Sequence, residues 1–102
     1  MITLDEARTS RRSFSAHGSS PPLLDVKSAE LATVAALTAL QYPAQQLKVH
    51  IESALRAGCS PEELMEVIVQ MALYAGLPAA ETAVEVARDV LRKLGLEQRA
   101  SQ

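Results

Sequence analysis

A chain of 102 residues with 10 Lys and Arg against 12 Asp and Glu carries a formal net charge of -2 at pH 7, so it lacks the basic excess by which nucleic-acid binders attract phosphate. One Phe, two Tyr and no Trp leave a core to be made from Ala, Leu, Val, Ile and Met, side chains that suit close helix packing. A single Cys excludes an internal disulfide, no apolar stretch approaches the ~20 residues of a membrane span, and no apolar signal region opens the chain, so a soluble, cytoplasmic, one-domain all-α protein is expected.

Residues 1–22 differ from the rest. The stretch TSRRSFSAHGSSPP is rich in Ser, Arg, Gly and Pro, with Phe14 its only large apolar residue, and reads as an N-terminal arm or linker. A helical domain is expected over 23–95, followed by a short tail over 96–102.

Four helices are predicted in that domain. Asp25 is a good N-cap for the first, over about 26–41, whose inward positions include Val26, Leu31, Val34, Ala35 and Thr38. Pro43 suits the first turn of a second helix that carries Leu47, His50, Ile51, Ala54 and Leu55 at helical spacing and stops at Gly58. The third starts on Ser60, Pro61 and Glu63, a capping box with Pro at the first helical position. Leu64, Val67, Ile68, Met71, Ala72 and Ala75 give it one apolar face, while Met65, Val69 and Leu73 give it a second before Gly76 ends it. Pro78 opens a fourth helix with one stripe from Ala80 to Leu94 before Gly95 and a charged opposite face, where Glu85 and Arg88 stand at i,i+3 and Asp89 and Lys93 at i,i+4.

Short connections near residues 42, 59 and 77 predict antiparallel neighbours and a small helical bundle. A helix apolar on two sides needs cover on two sides, and a second copy supplies it, so a homo-oligomer is expected.

Three polar features stand out against this apolar pattern. His50 lies within the stripe of the second helix, either as an acid or base or as a core histidine bonded to a carbonyl or carboxylate. Cys59 sits in the turn before the third helix, where exposed N–H groups favour a thiolate and burial opposes it. Glu66, Gln70 and Tyr74 recur at i, i+4 and i+8, as pocket lining or as a wet helix edge.

The segments AELATVAAL, LKVHIESAL, GCSPEELMEV and YAGLPAAETA, in that order between residues 23 and 91, resemble the carboxymuconolactone decarboxylase family, in particular its γ-carboxymuconolactone decarboxylase branch. The resemblance implies an all-α fold assembling as a trimer or as a hexamer of two trimers, with pockets near subunit interfaces. It also implies decarboxylation of a small lactone acid in aromatic-compound breakdown, with no cofactor and no metal. The related alkylhydroperoxidase D branch uses a Cys-x-x-Cys pair shortly before the histidine. Here the residues four and seven positions before His50 are Gln46 and Pro43, so peroxidase chemistry of that kind is not expected.

Glu30 stands where the family carries an acid, and His50 where it carries its histidine. The two are the expected catalytic residues, one donating to the developing oxyanion or returning a proton to carbon and the other orienting it. Gln46, Gln70 and Tyr74 are the expected substrate-binding residues. The basic residue that often precedes the family's acid is Ala29 here, which leaves the holder of the substrate carboxylate open. The alternative is a non-catalytic oligomeric member that binds a small acid or a protein partner. Neither nucleic acid nor membrane is an expected partner.

Overall fold

The computed structural model describes residues 23–96. The expected arm over 1–22, and nearly all of the expected tail, lie outside the described residues. The described residues form helices and no strand, as the composition predicts. The helices are α1 (Val26–Ala39), α2 (Ala44–Arg56), α3 (Pro61–Gln70), α4 (Ala72–Ala75) and α5 (Leu77–Lys93).

The helix starts follow the side chains that cap them. Asp25 Oδ1 accepts the Ser28 N–H at 2.7 Å at the head of α1. At α3 the box closes in both directions: Glu63 N–H donates to Ser60 Oγ at 3.0 Å and Ser60 N–H donates to Glu63 Oε1 at 2.8 Å, satisfying two donors that a bare helix end would orphan.

Three helices end in one way. After α2, Cys59 N–H reaches the Ala54 carbonyl and Gly58 N–H the Leu55 carbonyl. After α5, Leu96 and Gly95 make the same pair of bonds to Leu91 and Arg92, and after α1, Tyr42 and Gln41 make it to Leu37 and Thr38. This is the Schellman pattern, which requires a left-handed residue just past the helix. Gly58 and Gly95 fill that place at φ 105° and 75°, but after α1 it falls to Gln41 at φ 57°.

The core lies where α1 and α5 each pack against both α2 and α3. Val34, Leu37, Ile51, Leu64, Ile68 and Leu91 are fully enclosed there. The α5 face turned to them is mostly alanine, with Ala80, Ala83 and Ala87 buried, and short side chains at the contact let helix axes approach closely. Thr38 enters this core by donating its hydroxyl to the Val34 carbonyl at 2.8 Å.

The structure departs from the sequence expectation in three places. The predicted third helix is two: at Met71 the backbone tightens, with Met71 N–H bonded to the Ile68 carbonyl and Tyr74 N–H to the Met71 carbonyl, three-residue closures that interrupt the α-helical ladder. Leu94 does not join the α5 stripe; it is the C-cap residue and is exposed. Val26, the first residue of α1, also faces out. Among the described residues, no helix is long and apolar enough to cross a membrane.

Candidate functional site

His50 is 2% exposed. It follows Leu47 by three residues, just under a turn, and precedes Ile51 and Ala54, all buried on the inner face of α2. Among the described residues the buried polar side chains are Thr38 and His50. Thr38 is satisfied by its own helix, so His50, with the buried thiol of Cys59, brings titratable chemistry into this interior.

Glu30 approaches the same interior from α1, one turn before Val34. It is partly buried, and its Oε2 atom is shielded from solvent. α1 and α2 pack directly on each other, so the two expected catalytic residues stand on contacting helices and both turn inward. The expected substrate-binding residues do not. Gln46 is exposed one turn before His50 on α2, about 6 Å away between Cβ atoms by helix geometry. Gln70 is exposed at the end of α3, and Tyr74 on α4 is 74% exposed beyond the Met71 break. That break interrupts the polar line of Glu66, Gln70 and Tyr74.

Cys59 is buried, and its position explains why. It is the second residue past the C-cap of α2, a place that packs back on the helix in a Schellman end. Its Sγ donates to the Lys27 carbonyl at 3.6 Å. Burial, and after it the negative charge of Glu63, push the thiol above its ordinary pKa, with Lys27 opposing. The start of α3 therefore does not activate it.

Lys27 was not singled out by any sequence pattern, yet it pairs with Glu63 at 2.9 Å and ties the head of α1 to the head of α3. Lys48 likewise reaches Asp89 at 3.1 Å, linking the helix of His50 to α5, and Lys93 joins Asp89 at 3.3 Å. The Asp89 and Lys93 pair is legible as an i,i+4 spacing, whereas Glu85 and Arg88, expected at i,i+3, make no ion pair with each other. The two interhelical pairs join residues far apart in sequence, and no local spacing marks them.

Two of the surface depressions are lined by described residues. One lies over the outer side of α1 and the following turn, with Ala36, Leu40 and Tyr42 in its wall. The other runs between α3, α4 and α5, lined among others by Val69, Leu77, Val84 and Arg88. Neither is lined by His50, Glu30, Gln46, Gln70 or Tyr74. No group of three or more His, Cys, Asp or Glu side chains among the described residues is placed to hold a metal ion.

Comparison with known proteins gives this helical architecture a family. The model of the carboxymuconolactone decarboxylase family matches residues 6–89, beginning within the segment expected to be an arm. The chain is 36% identical over 77 residues to a 4-carboxymuconolactone decarboxylase of Acinetobacter baylyi, covering 76% of this chain and 57% of that protein. It is 41% identical over 70 residues to an uncharacterized 15.0 kDa protein of Paracoccus denitrificans, covering 66% of this chain and 51% of that one. The chain thus spans about half the length of the curated relatives it matches. With a family match over most of its length and the all-α fold described above, the chain belongs to the carboxymuconolactone decarboxylase family.

Proposed function

We propose that this protein is a cofactor-independent lyase that decarboxylates a small lactone acid of the carboxymuconolactone type. The observation that carries the proposal is His50: a titratable side chain enclosed on the inner face of α2, in a family with a named decarboxylase relative. Loss of carbon dioxide beside a conjugated lactone leaves negative charge delocalised onto the ring carbonyl. A donor aimed at that oxygen lowers the barrier, and an acid must return a proton to carbon. His50 serves as donor or acid, and Glu30, inward on the neighbouring helix, sets its orientation. Gln46 stands one turn from His50 toward solvent and meets the substrate there, while Gln70 and Tyr74 act where a second copy of the chain covers them. The working form is a homo-oligomer.

Turnover of the lactone followed by ultraviolet absorbance, on the wild-type chain and on His50→Gln, tests the proposal. Loss of turnover in a folded variant supports it, and equal rates remove His50 from the mechanism.

A second reading is favoured by one observation: Gln46, Gln70 and Tyr74 are exposed rather than enclosed with His50. On that reading the chain is a non-catalytic oligomeric member that binds a small acid or a protein partner. Calorimetric binding of the lactone without its consumption would select it.

A further inference from the structure

From Leu31 to Tyr42 the sequence carries no charged residue, so α1 is apolar on every side over most of its length. A helix of that character is enclosed all round in a folded domain. Its inner side is enclosed: Val34, Leu37 and Thr38 are buried, and α2, α3 and α5 pack against it. Its outer side lies open among the described residues, where Ala32, Ala36 and Leu40 are exposed, Leu40 to 68%. These three wall a depression of about 250 Å³ that Thr33, Leu37 and Tyr42 complete. The Thr33 hydroxyl already donates to the Ala29 carbonyl at 3.0 Å, so the wall is suited to an apolar occupant.

The chain carries such an occupant within reach. The family match begins at residue 6, well before the head of α1, which places the preceding stretch inside the region the family shares. Between residues 6 and 22 the one large apolar side chain is Phe14, and an aromatic ring brings roughly 150 to 250 Å² of surface to a contact. Phe14 lies nine residues before Leu23, a span of up to about 30 Å when extended. Ala36 lies eleven residues past Asp25, roughly 16 Å along the helix axis. The chain can therefore double back along α1 with length to spare. The groove between α3, α4 and α5 suits a ring less well, because Glu81, Glu85 and Arg88 line it.

We propose that residues 6–22 lie back over the outer side of α1 in the same chain and seat Phe14 in the depression walled by Ala32, Ala36, Leu40 and Tyr42. The contact braces the helix that carries Glu30 from the side opposite the core. It does not depend on the lyase proposal.

The test is a double-mutant cycle on the full chain, read by urea unfolding with circular dichroism. Phe14→Ala empties the seat and Ala36→Glu puts a charge in its wall, and each should raise the unfolding equilibrium constant about tenfold. The double variant should be no more than about threefold worse than either single one, because both remove one contact, and Phe14→Leu should recover most of the loss. An unchanged constant in Phe14→Ala, or single effects that multiply in the double variant, overturns the seat. Cross-linking decides whose arm it is. In a Cys59→Ser chain, Phe14→Cys with Ala36→Cys should close a disulfide at the mass of one chain under mild oxidation, about tenfold faster than Phe14→Cys with Leu73→Cys on the exposed α4. Equal rates, or a product of two chains, would overturn seating within one chain. Lactone turnover enters neither readout.

Discussion

Glu63 of α3 pairs with Lys27 of α1 at 2.9 Å through one carboxylate oxygen while the other accepts the Ser60 N–H at 2.8 Å. One side chain therefore closes a helix cap and joins two helices. The Ser60 backbone N–H, and after it Lys27, lower the Glu63 pKa; the Ser28 N–H lowers that of Asp25, and Lys48 with Lys93 that of Asp89.

The sign of the acid response follows from these shifts. A carboxylate whose folded pKa lies below its unfolded one binds protons more readily when unfolded, so its stabilisation is present above the ordinary carboxylate range and is lost as pH falls through it. The urea midpoint should fall between about pH 5 and pH 2. In Glu63→Gln it should fall less over the same interval, and an equal fall would assign the acid sensitivity elsewhere. Lys27 is shifted upward by Glu63, so its share persists at neutral pH and is lost only as pH rises past the lysine range.

Gln41 and Gly58 occupy equivalent places past α1 and α2, both with positive φ. Glycine takes that conformation without the steric penalty a Cβ incurs. Gln41→Gly should therefore raise the unfolding free energy by about 0.5 to 1 kcal/mol, and Gly58→Ala should lower it by about 1 kcal/mol. Chemical denaturation of the two variants beside the wild type checks both signs.

Cys59 should be a protected thiol. Its burial and raised pKa predict that labelling by a thiol reagent at neutral pH is slower in the folded protein than in urea by on the order of a hundredfold or more. Fast labelling of the native chain would show that the turn before α3 opens readily.

What the sequence revealed was what local chemistry dictates. Ser60, Pro61 and Glu63 marked the start of α3 because a capping box is a three-residue affair, and Gly58 and Gly95 marked helix ends because only glycine is at ease there. The inward face of α2, His50 included, was legible from apolar spacing. The break at Met71 was not, since no Gly or Pro announces it, and the exposure of Leu94 depended on where the Schellman end of α5 fell. At the candidate site, the inward turn of His50 was readable, but its relation to other helices was not. Lys27 and Lys48 find their partners across the bundle, and Gln70 and Tyr74 form one line only on a continuous helix, which the break at Met71 interrupts.

The proposed role of His50 as the acid or oxyanion donor of a lyase is tested most directly by single-turnover decarboxylation of carboxymuconolactone by the wild-type chain and by His50→Gln, both shown to be folded by circular dichroism. The expected result is measurable turnover by the wild type and a loss of about a hundredfold or more in the variant, the range of a general acid or base removed. Equal rates for the two, or no consumption of the lactone by the folded wild-type chain, would contradict it.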